Sequence, residues 1–355
     1  MSNQYVRFSG ANPFASQAKI LLHHDRLNEY LTTGDTSPIF MEVGLTDKCN
    51  ETCYWCITEN GRDNIAGAEI KIEPLEAFLY EFAGMGGKAI TYCGQGEPTK
   101  YPAFERAVLT AVSANLELGL MTNGVYPERY NDVIGPNFQW IRISLDTLDE
   151  EKYKQWKGLD GVRVIQRNIL ALEKHTVKVG LNCNVGPNIT VDMIKALVAY
   201  TDDTAAVAYL QFRPILPRYY KTETGLLNDE VWQYLDTLKD NPRIYLSNDK
   251  REDLESGNLF PFRSCEGHFF EPILTAKGEV KVCTYHPTNS DLTFGSIYDN
   301  TFSEIWKSDQ RQQAIKAVRT LDYKNRCQVC CKLSEPNRLL DFLKHPAETN
   351  DINFL

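Results

Sequence analysis

Short apolar runs alternate with longer segments of helical period over the first two-thirds of the chain. The runs are "FMEVGLT", "KAITYCG", "LELGLMTN", "WIRISLD", "VKVGLNCNV" and "VAYLQFRPI". Between them lie "IEPLEAFLYEFAGM", "PAFERAVLTAVSA", "GVRVIQRNILALEKH" and "TVDMIKALVAYTDD", in which apolar residues return every three or four positions. A strand, a helix and a further parallel strand connect by a right-handed crossover, so this order predicts βα units around a parallel sheet. Six strands suit an incomplete barrel, a partial (β/α)6 version of the TIM-like fold, better than the closed eight-stranded one. Ahead of the first strand, "ASQAKILLHHDRLNEYL" predicts an amphipathic helix.

From about residue 246 the alternation stops. "EPILTAKGEVKVC" predicts a hairpin turning at "AKGE", and "TFSEIWKSDQRQQAIKAV" predicts a helix after a loop. The expected organisation is a helical extension over residues 1–37, the partial barrel over 38–245, a small cysteine-rich module over 246–340 and a poorly ordered tail over 341–355.

Composition narrows the function classes. The chain has 355 residues, 43% of them hydrophobic, and a net charge of −9, which argues against a broad nucleic-acid-binding surface. "MSNQYVRFSGANPFASQ" lacks the pattern of a signal peptide, and no apolar run approaches the roughly 20 residues that cross a bilayer. The expectation is a cytoplasmic protein without a membrane or nucleic-acid partner. In a reducing compartment ten cysteines are better read as ligands or reactive groups than as disulfides.

Cys49, Cys53 and Cys56 crowd the segment that follows the first strand. Thiolates favour zinc, copper(I) or iron–sulfur clusters. A structural zinc takes a fourth ligand close by, whereas three cysteines on one loop suit a four-iron cluster with one iron left open to a small molecule. The loop also sits where the barrel's C-terminal mouth, the usual place of active sites, is expected. A zinc-binding scaffold without catalysis is the alternative.

Cys49-Asn50-Glu51-Thr52-Cys53-Tyr54-Trp55-Cys56 resembles the C-x3-C-x2-C signature of the radical S-adenosylmethionine (SAM) superfamily, including the aromatic Trp55 before the last cysteine. The resemblance covers roughly residues 38–216 and implies that SAM chelates the open iron. "CGQGEPT" is similar to the family's Gly-Gly-Glu-Pro motif, with Gly96, Glu97 and Pro98 matching and Gln95 in place of the first glycine. It implies that Glu97 meets the methionine ammonium. "MTNG" and "ISLD" end the next strands as in the family, which implies Asn123 and Ser144 as SAM contacts.

Cys265 and Cys283, with Gly278 between them, are followed by "CQVCC", which holds Cys327, Cys330 and Cys331. By spacing this set also fits a zinc ribbon. It resembles the SPASM module, and its shortened twitch form more closely, which implies one auxiliary 4Fe–4S cluster held by Cys265, Cys283, Cys327 and Cys330.

The resemblance implies two clusters, SAM, an external one-electron reductant such as flavodoxin or ferredoxin, and hydrogen abstraction from an unactivated C–H bond. If a thiol returns hydrogen from the other face the centre is epimerised; if the auxiliary cluster takes the electron, an alcohol becomes a ketone. Outside both ligand sets remain Cys93, Cys183 and Cys331 as donors, with Cys183 preferred for its place at the end of the fifth strand. Strand alternation sets Asn182 and Asn184 on the face opposite Cys183, which weighs against it. Arg213 is a candidate for a substrate oxygen or SAM, and Asp146 and Glu59 are possible proton acceptors. Many of the family's peptide maturases carry a leader-binding domain, for which the short region before the first strand leaves no space. A single auxiliary cluster is similar to the aminocyclitol dehydrogenase and aminoglycoside epimerase type, and the resemblance implies epimerisation of a carbinol centre in a sugar or aminocyclitol, with dehydrogenation or peptide modification as alternatives.

Overall fold

The computed structural model describes residues 17–56, 67–215, 228–256, 262–286, 289–323, 327 and 331–346. Their strands form a ten-stranded sheet in the order β10-β9-β8-β1-β2-β3-β4-β5-β6-β7. Strands β1 (Phe40–Val43), β2 (Ala89–Tyr92), β3 (Glu117–Thr122), β4 (Trp140–Ser144), β5 (Lys178–Val185) and β6 (Val207–Pro214) fall on the six expected runs and pair in parallel in sequence order. The sheet is an open partial barrel, as expected, with one further strand. "RIYLS" is too short to show a period, but β7 (Ile244–Leu246) adds to β6 with Ile244 opposite Leu210.

Helices cover the outer face. In α2 (Ile72–Gly84), Leu75, Phe78, Leu79 and Phe82 fall at the i, i+3, i+4, i+7 spacing of one stripe and are all buried. Helices α3 (Phe104–Ser113), α4 (Asn131–Asn137), α6 (Val162–Leu172) and α7 (Val191–Asp203) repeat the arrangement. Before α6, the chain inserts α5 (Glu150–Lys157), which Asp149 caps through the amide of Lys152 and Gly158 ends with φ +83°. The segment after β6 resumes with α8 (Asp229–Asp236), β7 and α9 (Asn248–Ser256).

The cysteine-rich module is continuous with the barrel sheet. Strand β8 (Ile273–Leu274) runs parallel to β1, with Ile273 opposite Glu42, and turns back into β9 (Glu279–Lys281) at the expected "AKGE". Gly278 makes that turn at φ +76°, a conformation costly for other residues. Strand β10 (Thr293–Ser296) completes the edge. The single helix expected next is two, α10 (Phe302–Lys307) and α11 (Asp309–Arg319), because Ser308 is extended and its side chain caps the second through the amide of Arg311. The guanidinium of Arg311 is fully buried and forms a two-pronged bond to Asp35, at 2.6 and 2.8 Å, fastening the module to the segment before β1. Helix α12 (Ser334–Lys344) closes the described chain.

The expected N-terminal helix is a 3-10 turn (Gln17–Leu22) followed by α1 (His24–Thr33), broken at His23. Among the described residues no helix is long and apolar enough to cross a membrane.

Candidate active site

The loop after β1 carries Cys49, Cys53 and Cys56, and the last two line a cavity of about 1160 Å³ bounded by the inner faces of the strands. Two elements hold it in place. The amide of Thr52 donates to the carbonyl of Lys157, and the side-chain amide of Asn50 donates to the carbonyl of Val125. A Cβ on Gly158 would collide with the Thr52 hydroxyl, so the loop can lie against the end of α5 only because that residue is glycine. Cys56 acts electrostatically on both Cys49 and Cys53, although among the described residues no three side chains are set as a closed metal site. Burial pushes the Cys49 thiol up to about 12 against the Glu51 amide that donates to it, and the Cys53 thiol higher still. Three cysteines on one loop, two of them lining an open cavity, form a donor set that by its number and chemistry fits a cluster with one iron left free.

At the end of β2 the chain passes close under this loop. The Glu97 amide donates to the carbonyl of Lys48 at 2.9 Å, and a Cβ on Gly96 would strike that same carbonyl. The Glu97 carboxylate is buried and accepts from the Thr122 hydroxyl at 2.6 Å, the Thr99 hydroxyl at 2.7 Å and the Asn123 amide at 2.8 Å. Burial raises its pKa while these bonds oppose the rise. One carboxylate oxygen takes three of the bonds and the other takes one, which leaves acceptor capacity toward the cavity for an ammonium. The side-chain amide of Asn123 donates to Asn50, so this residue also ties the end of β3 to the cysteine loop. Trp55, Gly96, Glu97, Asn123 and Ser144 all line the cavity, while the Gln95 side chain lies outside its wall.

The residue that sequence reasoning missed is Lys157. Its ammonium is 2% exposed, lies 2.9 Å from Asp146 and 3.6 Å from Glu51, and reaches the cavity beneath the Trp55 ring. Burial alone would lower its pKa, but Asp146, Cys53 and Glu51 hold it well above the ordinary lysine range. The signal was faint: a lysine on the last turn of a short, polar helix reads as a solvated charge. Tyr153, one turn earlier, donates to Glu51 and fixes that carboxylate beside Cys53. Asp146 is held by Lys157 and by the backbone and side-chain N–H groups of Asn184, so it works as a brace and not as the possible open proton acceptor of the sequence reading.

Strand alternation corrects the reading of Cys183. Asn182 and Asn184 line the cavity, whereas Cys183 is fully buried among Val179, Leu181 and Val185 in the core beneath the helices. A thiol on that face cannot reach a substrate. Cys183→Ala should therefore leave SAM cleavage and product formation unchanged and lower stability by only about 1–2 kcal/mol; a denaturant melt and a product assay check both halves. Arg213, at the end of β6, and Cys93, just past β2, do line the cavity. Glu59 lies outside the described residues.

On the other side of the cavity wall, Cys265, Cys283, Cys327 and Cys331 surround a second, smaller pocket. Burial and mutual repulsion push the Cys265 thiol well up, with Cys331, Cys283 and Cys327 all acting on it. The Tyr285 amide donates to the Cys283 sulfur and the Asn337 side chain to that of Cys265, the kind of N–H···S bond that supports thiolates around a cluster. Cys331, expected to stand outside the ligand set, thus belongs to this group by position; Cys330 lies outside the described residues.

Comparison with known proteins agrees with this geometry. Residues 43–201 match the model of the radical SAM superfamily, and residues 265–332 match that of SPASM, an iron–sulfur cluster-binding domain. GTP 3',8-cyclase of Lactiplantibacillus plantarum is 26% identical over 77% of this chain and 84% of its own. Among solved structures, SuiB of Streptococcus suis bound to S-adenosylmethionine superposes with a TM-score of 0.64 at 13% identity, covering 89% of this chain and 76% of that one. A structure of anSMEcpe with bound AdoMet superposes with a TM-score of 0.60 at 17% identity, covering 90% of this chain and 96% of that one. The chain carries a radical SAM domain followed by a SPASM domain and is a radical SAM enzyme that uses SAM and two 4Fe–4S clusters.

Proposed function

We propose that this enzyme takes a hydrogen atom from a carbinol C–H of a sugar or aminocyclitol and epimerises that centre. The observation that carries the reading is the cavity wall. Amides and hydroxyls of Asn182, Asn184, Gln211, Ser247 and Ser144 face the space, and the described wall holds as many acidic as basic side chains. Such a lining suits a polyol, with or without amines, and offers no excess of cations for a polyanion.

In this reading Cys49, Cys53 and Cys56 hold the SAM-binding cluster. Glu97 takes the ammonium of SAM, Lys157 its carboxylate, and Trp55, Gly96, Asn123 and Ser144 complete the pocket. Cys265, Cys283 and Cys327, with Cys331 or Cys330, hold the auxiliary cluster. With the cluster reduced by an external carrier of the flavodoxin or ferredoxin class, SAM bound there would supply the 5'-deoxyadenosyl radical that removes the hydrogen. The chain's own work is to hold the carbinol against that position and to keep water out. Asn182 and Asn184 can hydrogen-bond the polyol, and Arg213 can bind one of its oxygens.

A second reading has a specific support: the similarity to GTP 3',8-cyclase over most of the chain favours a nucleoside triphosphate. The two are separated by anaerobic incubation in D₂O with SAM, dithionite and either an aminoglycoside and aminocyclitol panel or GTP. Epimerisation yields a product one mass unit heavier, with deuterium at a single carbon. Loss of two mass units with a new carbonyl would replace epimerisation by dehydrogenation, and conversion of GTP with every polyol untouched would overturn the proposal.

A further inference from the structure

Toward the starts of the strands the lumen of the barrel has an aromatic floor. Gly119 on β3 and Gly180 on β5 each lie under a ring, Trp140 over the first and Tyr209 over the second, and a Cβ on either glycine would overlap that ring. Arg142 is held on this floor. Its guanidinium lies 5.6 Å from the centre of the Trp140 ring, its Nε donates to the Tyr209 hydroxyl at 3.3 Å, and the side chain lines the large cavity. That hold uses one edge of the guanidinium. Among the described residues its terminal amino groups meet no acceptor, and no carboxylate lies within ion-pair distance. Two other cations of the same wall are matched: Lys157 lies between Asp146 and Glu51, and Lys332 between Glu42 and Glu271.

One step nearer the SAM site, acceptors stand unmatched. Arg142 and Ser144 share a face of β4, so Arg142 is about 6–7 Å closer to the strand's start. Asn182 pairs in register with Ser144, and Gln211 with Asn182. Asn182 is 6% exposed and Gln211 7%, and both line the cavity. Yet Asn182 Oδ1 and Gln211 Oε1 have no hydrogen-bond partner among the described residues. Buried polar atoms are seldom left unpaired, so these oxygens mark where the donors of a ligand belong. Acceptors suited to hydroxyl groups thus stand one step from a cation that lacks a counterion, a separation that one substituent of a sugar ring can span.

We propose that Arg142 is a specificity residue that binds a single oxyanion, a carboxylate or a phosphate, carried by the sugar whose hydroxyls meet Asn182 and Gln211. This rests on the sugar reading above and narrows it, because a cationic aminocyclitol would be repelled at this position. The planar fork of a guanidinium matches either anion with two parallel bonds, and the contact with Trp140 holds its plane. One guanidinium serves one such group, not the three of a triphosphate.

Equilibrium dialysis of the reconstituted enzyme with SAM, using labelled glucuronate, glucose 6-phosphate, glucose and GTP, tests the assignment. The wild type should bind one of the two acidic sugars at least about tenfold more tightly than glucose, as a charge-assisted bond provides. Arg142→Gln should erase that preference and Arg142→Lys keep part of it. The preferred acid names the source of the oxyanion. Equal binding of the three sugars, or a preference that persists in Arg142→Gln, overturns the assignment. A readout on the unaltered protein covers a variant that fails to fold. Phenylglyoxal should label Arg142, as read by peptide mass spectrometry, and inorganic phosphate or glucuronate should slow that labelling severalfold while glucose does not. Labelling that no anion slows refutes the site. Arg142-dependent binding of an acidic sugar by an enzyme that epimerises none supports the oxyanion site and removes the epimerase reading. Arg142-dependent binding of GTP alone overturns the acidic sugar and favours the nucleoside triphosphate.

Discussion

Lys157→Met is expected to bind SAM at least about tenfold more weakly than the wild type, a loss of about 1.4 kcal/mol, and to unfold more easily. The lysine ammonium lies between the Asp146 and Glu51 carboxylates with 2% of its side chain exposed. Removing one member of a buried ion pair leaves the other charge desolvated and alone, which costs about 3–5 kcal/mol. Methionine has nearly the same length, so the loss reports charge and not volume. Tyr153 and Glu51 connect this pair to Cys53, so the cysteine loop should also loosen. Equilibrium dialysis with labelled SAM measures the first effect and denaturant melts the second. Lys157→Arg should recover part of both, because the guanidinium keeps the charge. Unchanged SAM affinity in Lys157→Met would reduce Lys157 to a brace between α5 and β4.

Replacing Cys49, Cys53 and Cys56 together by alanine is expected to remove one cluster and leave the other. After anaerobic reconstitution the wild type should hold about eight irons and the variant about four, with matching sulfide. SAM cleavage should fall below detection in the variant. The four cysteines of the second pocket are joined to the barrel through β8 and β1 and not through the loop after β1, so their site should survive. About four irons in the wild type, with zinc in place of the rest, would assign a metal of another kind to the second set.

Much of this account was legible in the sequence because it is written in period and spacing. The six βα runs needed only apolar alternation, and the three-cysteine loop announced itself by density. Even the orientation of Cys183 was readable, since Asn182 and Asn184 claim the polar face of β5. What escaped was set by tertiary contact. Strand β7 has three residues and exists because β6 offers it an edge. Lys157 looks like a surface charge until Asp146, and Glu51 from far back in the sequence, close around it. In "CQVCC" spacing favoured Cys327 with Cys330, while the fold brings Cys331 to the pocket.

The most direct test of the account is the cleavage of SAM by the anaerobically reconstituted wild-type enzyme with dithionite as the electron source. It predicts 5'-deoxyadenosine and methionine in equal amounts, dependent on Cys49, Cys53 and Cys56. A protein carrying both clusters that leaves SAM intact, or that splits it without forming 5'-deoxyadenosine, would contradict it.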